Sequence, residues 1–421
     1  MAIYTVQPGD TLWKISTFSG VPQSILMQVN GLTSSALIPG LNMYIPDQTP
    51  PERYYQVKAG DSLWRISQQF STTIQAIISA NPTINPNVLA VGQRLRIPTW
   101  QKYRMQSLVF IDAFDPSPYL EILREVSSSI TYLAVFTYSF NRTGTLIEVT
   151  DEEILTACRQ FNIRPLMVVS NYENGTFSTQ LADEGLNTSV RRTLIKNIGT
   201  AVRNKGYAGV SIDFEFVPPA RRNDFTSFLR ELKTELGNRI LQINVHAKSS
   251  DDPTNRLTGF LDYRGIGQVV DIMAVMTIDY GYAVGPPDPI APVWWVEQVL
   301  RYATGLVNRR KLMMAMALYG YDWIHPQTPN RIATMLPALP AQNRAISNGV
   351  RIQFDSQAQA PHYRYTSNSL QHAVWFEDVK SVKAKYELMD VYNLLGTTYW
   401  RLRFRFPQNW AFVRKNIMVV K

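Results

Sequence analysis

The chain has 421 residues, 45% of them hydrophobic, and a formal net charge of +9. That is enough apolar content for a full core and enough length for more than one domain. The basic balance suits polyanionic surroundings, but Lys and Arg are scattered without a stripe or a nucleic-acid motif, so no nucleic-acid partner is expected. No apolar run approaches the length of a membrane span, so no membrane insertion is expected. The single cysteine, Cys158, excludes an internal disulfide. It lies on the amphipathic stretch 151–161 and reads as a buried small side chain. The four histidines show no ligand spacing, so no zinc site is expected. Residues 1–12 lack the basic start and apolar run of a secretory signal. The expectation is a protein that acts within the cell that makes it, unless a leader has been removed.

The N-terminal quarter is a tandem repeat. Tyr4, Asp10 and Trp13 recur as Tyr55, Asp61 and Trp64, each 51 residues on, and Asn30 recurs as Asn81. One inserted residue then brings Gly40 onto Gly92 and Ile45-Pro46 onto Ile97-Pro98. Each unit reads strand, helix, helix, strand. Tyr4 and Val6 alternate as a short strand. Gly9-Asp10 and Gly60-Asp61 make a turn, with the Asp placed to cap the helix that follows. Leu41, Met43 and Ile45 close with period two. A short Pro-rich linker, 47–52, spaces the units semi-rigidly.

These units resemble the LysM domain, and on that basis residues 1–47 and 53–99 are two LysM domains. The resemblance implies binding of N-acetylglucosamine-containing glycans. In that family the sugar groove lies between the turn after the first strand and the segment before the last. It implicates Gly9, Asp10, Thr11, Asn30 and Ile38, then Gly60, Asp61, Ser62, Asn81 and Ala90. For Asp10, Asp61, Asn30 and Asn81 a structural role in turn and loop is favoured over direct contact.

From residue 103 apolar runs alternate with amphipathic stretches. The runs are 108–111, 132–136, 166–169, 210–216, 241–245, 272–276, 312–318 and 397–400, with helical patterns between them at 188–204, 221–236 and 293–306. Eight such alternations predict an α/β fold, a closed (β/α)8 TIM barrel over 103–421. The seventh connection is too long for one helix. Its polar stretch, about 325–371, reads as an irregular insertion between strand 7 and strand 8, beside the active-site face.

The decisive segment is Ala208-Gly-Val-Ser-Ile-Asp-Phe-Glu-Phe216. Strand side chains alternate, so Val210, Ile212, Phe214 and Phe216 are expected to face the helices. Ser211, Asp213 and Glu215 then face the barrel interior. Two acids on one face cannot both ionise cheaply, and one keeps its proton at neutral pH. Glu215 sits nearer the C-terminal rim, where barrel enzymes do chemistry. It is the better general acid, with Asp213 as partner beneath. The bland alternative is a buried carboxylate pair bridged to Arg or Lys.

This segment resembles the DGxDxDxE signature of glycoside hydrolase family 18. Gly209, Asp213 and Glu215 match, while Ala208 and Ser211 replace the first two acids. Met276-Thr-Ile-Asp279 is similar to the family's MxYD strand end, with Ile278 in place of the tyrosine. Tyr280 or Tyr282 could substitute for it. Trp400 matches the floor tryptophan under the −1 sugar. Asn171 after the third strand and Tyr319 after the seventh are candidate rim contacts by position, and Ser211 can hydrogen-bond Asp213.

The family resemblance implies a retaining, substrate-assisted glycosidase that uses no metal and no cofactor. The two repeats, the stretch 276–287 and Phe406-Pro-Gln-Asn-Trp410 further resemble the cortex-lytic N-acetylglucosaminidases of endospore-forming bacteria. That implies cleavage after N-acetylglucosamine in spore cortex peptidoglycan during germination. It also implies location in the spore coat or cortex, after synthesis in the mother cell without a signal peptide. A cell-wall location holds if a leader is missing. The rival readings are a chitinase, a wall-binding lectin that has lost activity, and a coat protein held by the repeats. Removing residues 1–98 is expected to spare cleavage of soluble fragments.

Overall fold

The computed structural model describes residues 2–114, 117–326, 328 and 331–421. Its centre is a barrel of eight parallel strands: Tyr103–Asp112, Tyr132–Phe140, Arg164–Ser170, Gly209–Asp213, Ile240–His246, Ile272–Met276, Leu312–Ala317 and Gly396–Trp400. The first strand pairs with both the second and the last, which closes the ring. Alternation along each strand divides the core into two shells. Leu108, Phe110, Tyr132, Ala134, Leu166 and Val168 fill the barrel interior. Val109, Ile111, Leu133, Val135, Met167 and Val169 face outward and pack under the helices. Gly209 has a packing reason: a Cβ there would stand 2.1 Å from the Ile240 carbonyl oxygen of the neighbouring strand.

Each repeat folds as a two-stranded antiparallel sheet with two helices. The strands are Ala2–Thr5 and Asn42–Ile45 in the first, Glu52–Gln56 and Arg94–Pro98 in the second. The expected helix caps move by one residue. Thr11 and Ser62 accept from the Lys14 and Arg65 amides, each at 3.2 Å. Asp10 and Asp61 instead accept from the Gln7 and Lys58 amides and from the Tyr4 and Tyr55 hydroxyls. The carboxylates tie the turn back to the first strand. Those bonds hold the Asp10 carboxyl below its ordinary range, the Gln7 amide contributing most.

The repeats are not pendants on a linker. The first shares one hydrophobic core with the insertion: Val6, Leu12, Leu26, Ile38 and Met43 pack with Leu336, Ala341, Ile352, Tyr363 and Phe376. Asn42 Nδ2 donates to buried Asp378 at 2.6 Å, and Gln408 donates to Asn30 Oδ1 and to the Asn42 carbonyl. The second repeat is held by Arg53, whose Nε and Nη2 reach both oxygens of Asp390 at 2.8 and 2.9 Å. Paired geometry of this kind suits a guanidinium and a carboxylate.

The insertion also differs from the expected irregular stretch. It runs from Tyr319 to Trp375 as a five-stranded antiparallel sheet with the helix Ala338–Ser347. Its polar composition reflects strands with one wet face, as in Ala360–Ser367, where exposed positions alternate with buried or part-buried ones from Tyr363 onward. Gln327, Pro329 and Asn330 of that stretch lie outside the described residues.

Candidate active site

The fourth strand ends at Asp213, two residues short of Glu215, so something other than the ladder must hold the acid. Asn171 does so from the end of the third strand. Its Oδ1 accepts from the Glu215 amide at 2.9 Å, and its Nδ2 donates to the Glu215 carbonyl at 2.8 Å. The side-chain amide replaces a neighbouring peptide for one residue. It also donates to the Ser178 carbonyl at 2.9 Å. Asn171 is fully buried and absent from the cavity wall, so it acts on the acid rather than at the rim.

Past this clamp the strand geometry breaks. Phe214 faces the helices, stacked on Phe140 and Phe228. Phe216 does not follow it outward. Its φ of 53° turns the chain, and the ring is 43% exposed. Alternation stops at Glu215 because the ladder has already ended.

Asp213, Glu215, Asp279, Ile278, Met276 and Trp400 line one cavity of about 340 Å³ at the C-terminal end of the barrel. Trp400 packs edge-on against Phe136 and tilted against Phe110, at centroid distances of 5.2 and 5.5 Å. These rings give an apolar floor suited to a sugar face. Arg401 joins the wall and is paired with Asp112.

Asp213 is buried, and burial followed by the Glu215 charge pushes its carboxyl up to about 7. Asp213 therefore holds a proton more readily than a free carboxyl does, beneath Glu215. Asn244 opposes the rise by donating to Asp213 Oδ1 at 3.1 Å, and its Nδ2 also lies 3.4 Å from Ser211 Oγ. Burial also raises Asp279, while the Tyr319 and Tyr321 hydroxyls, at 2.6 and 3.1 Å from Oδ1, pull it back. Tyr319 is buried behind Asp279 and Ser211 behind Asp213; neither lines the cavity. Tyr280 packs against Trp294 and Trp295, and Tyr282 is half-exposed. Neither reaches the cavity wall to replace the hydroxyl lost at Ile278.

The fifth strand carries the residues the sequence reading passed over. Ser211 pairs with Gln242 in register, so Asp213 stands level with Asn244, and Glu215 with His246. Gln242 donates to Asn244 Oδ1 at 2.8 Å, and His246 Nε2 lies 3.1 Å from Glu215 Oε2. The signal was available in Leu241-Gln-Ile-Asn-Val-His246: polar residues at period two inside an apolar run, matching Ser-x-Asp-x-Glu on the strand before.

In the repeats, Asn30 and Asn81 each bridge the end of the second helix to the last strand. Asn30 bonds the Leu26 carbonyl and both backbone groups of Tyr44. Asn81 does the same with Ile77 and Arg96. The two expected grooves then diverge. Ile38 is buried against the insertion, and the Ile352 amide donates to the Pro39 carbonyl. The equivalent Ala90 and Val91 are exposed. Gly9 and Gly60 occupy the turns at positive φ.

A closed barrel with two acids, an apolar floor and a polar ladder at its C-terminal face has the parts that glycoside hydrolysis requires. The chain belongs to the glycosyl hydrolases family 18, whose model matches residues 99–404, and the LysM domain model matches 4–46 and 55–98. A cortical fragment-lytic enzyme of Bacillus anthracis is 34% identical over 100% of this chain and 99% of its own length. The crystal structure of the Bacillus cereus spore cortex-lytic enzyme SleL superposes with a TM-score of 0.88 at 32% identity, covering 100% of this chain and 98% of that one. The corresponding Bacillus megaterium QM B1551 structure gives 0.84 at 30%, with the same coverage.

Proposed function

We propose that this glycoside hydrolase cleaves β-1,4 bonds after N-acetylglucosamine in spore cortex peptidoglycan during germination, by a retaining, substrate-assisted route. The observation that carries the reading is the delivery of Asp213 and Glu215 into one cavity floored by Trp400. Glu215 protonates the leaving glycosidic oxygen. The substrate's own 2-acetamido oxygen attacks the anomeric carbon, forming an oxazolinium ring. Asp213 orients the acetamide and stabilises the positive charge that develops on it. Glu215, now a carboxylate, takes a proton from water, and that water opens the ring with retention. The route needs an N-acetyl group on the −1 sugar and no metal. Relatives of full length bear cortex-lytic names, which directs the reading to cortex rather than chitin and to a place in the spore. The exposed groove of the second repeat adds avidity on an insoluble polymer.

The test is digestion of purified cortex fragments, with muropeptides analysed by mass spectrometry. New reducing ends carrying N-acetylglucosamine are expected; new ends carrying muramic acid would refute the bond assignment. Glu215→Gln is expected to lower the rate by about 10² to 10⁴ while wall binding persists. An unchanged rate would place the acid elsewhere.

A further inference from the structure

The signature of the fourth strand lacks its two outer acids, Ala208 and Ser211 standing in their places. The fifth strand supplies a titratable group at the level of Glu215 instead. His246 is the last residue of Ile240–His246, and its Nε2 lies 3.1 Å from Glu215 Oε2. That nitrogen is sealed from solvent. It makes no hydrogen bond of good geometry, so the pair is a close contact without an aligned hydrogen bond. Catalytic contacts commonly have such geometry before substrate arrives and tighten once it is bound. The strand is tied down here, because the Tyr263 hydroxyl donates to the His246 carbonyl at 2.5 Å.

We propose that His246 is a positioning residue that fixes the Glu215 carboxyl in the cavity and sets how readily it gives up its proton. The proposal rests on Glu215 being the acid. A family 18 acid must donate a proton in one step and accept one in the next. A cationic neighbour eases the second role at the expense of the first. An imidazolium at this distance favours the carboxylate form of Glu215, and a neutral imidazole does not. The other charged groups around the pair cannot do this. Asp213 beneath and Asp279 on the sixth-strand side are acids, the latter holding the Tyr319 and Tyr321 hydroxyls. Arg401 is paired with Asp112. Lys248, two residues beyond His246, turns its amine to Asp251 and to the Leu261 carbonyl.

The test is the pH profile of kcat/KM on soluble cortex fragments for the full chain and for His246→Gln. Glutamine keeps an N–H donor at similar reach and cannot titrate. The alkaline limb is expected to move up by about one pH unit, an opposite charge at this range being worth about one unit or more. His246→Asn, with a shorter donor, is expected to show the same shift with a lower kcat and little change in KM. A purely structural role for His246 would scale the whole profile down without moving its limbs. Profiles that coincide in shape with the parent's, or that move down in pH, overturn the proposal. Glu215→Gln run alongside separates the two ideas: if it keeps full activity, the assignment of the acid has failed, whatever the His246 variants show.

Discussion

Gly40 and Gly92 occupy the same position in the two repeats and differ in what surrounds them. Both have nearly the same backbone, φ +87° and +89°. An alanine at either pays a similar strain of about 1–2 kcal/mol for an L residue at positive φ. At Gly92 the added Cβ would meet only the Gln56 amide nitrogen, 3.8 Å away. At Gly40 it would stand 1.8 Å from the Ile352 carbonyl oxygen, inside any contact distance, and that neighbour is backbone. Relief requires the first repeat to lift from the insertion. That breaks the bond from the Ile352 amide to the Pro39 carbonyl, about 0.5–1.5 kcal/mol, and loosens the shared core. Gly40→Ala is therefore expected to cost about 1.5–4.5 kcal/mol more than Gly92→Ala, the lost bond and a buried misfit of about 1–3 kcal/mol taken together. Denaturant unfolding followed by tryptophan fluorescence gives both values, and limited proteolysis shows whether the first repeat is released. Equal losses in the two variants would refute the docking of the first repeat through this segment.

Three further outcomes follow from the same geometry. Asn171→Ala leaves the Glu215 amide and carbonyl without their clamp, and is expected to lower kcat by about 10²-fold through misplacement of the acid, read by steady-state kinetics beside a melting curve that shows the barrel intact. Asp213→Asn is expected to lose activity and gain stability above neutrality. The folded state holds the Asp213 proton more tightly than the unfolded chain does, up to about 7, so this group's contribution is favourable at low pH and is lost as pH rises toward neutrality. Melting the variant and parent from pH 4 to 8 should show the gain growing with pH; a constant difference would contradict it. A chain lacking residues 1–98 is expected to aggregate, contrary to the modular reading of the repeats, because Leu336, Ile352, Tyr363 and Phe376 lose the partners that bury them. Size-exclusion chromatography decides it, and a monodisperse, active fragment would restore the modular reading.

The barrel was legible because its signals are local. Each strand is a short apolar run, and each helix a periodic stretch between two such runs. The acid ladder was legible for the same reason: Asp213 and Glu215 are two apart on one strand. What stayed hidden depends on register between strands. His246 faces Glu215 only because Ser211 pairs with Gln242. Asn171 clamps the acid only because the third and fourth strands end level, Ser170 beside Asp213. Tyr319 looks like a rim residue from its place after the seventh strand. It is buried because the chain there enters a new sheet and its hydroxyl turns back to Asp279.

The docking of the first repeat was written in the sequence as well, in how the two copies differ. The last strand of the second repeat, Arg94-Leu-Arg-Ile, alternates charge with apolar side chains, and its burial alternates with it. That is a strand with one face in water. The matching strand of the first repeat, Asn42-Met-Tyr-Ile, carries no charge and is buried at every position. Two arginines have given way to Asn42, which bonds Asp378 and Gln408, and Tyr44, which joins the barrel's own core. A free carbohydrate module gains nothing from an apolar outer face and risks aggregation by it. The loss of charge on that face therefore marks a surface that is covered. The same logic separates the two copies: the first braces the insertion, and the second keeps its loop at Ala90 and Val91 in solvent.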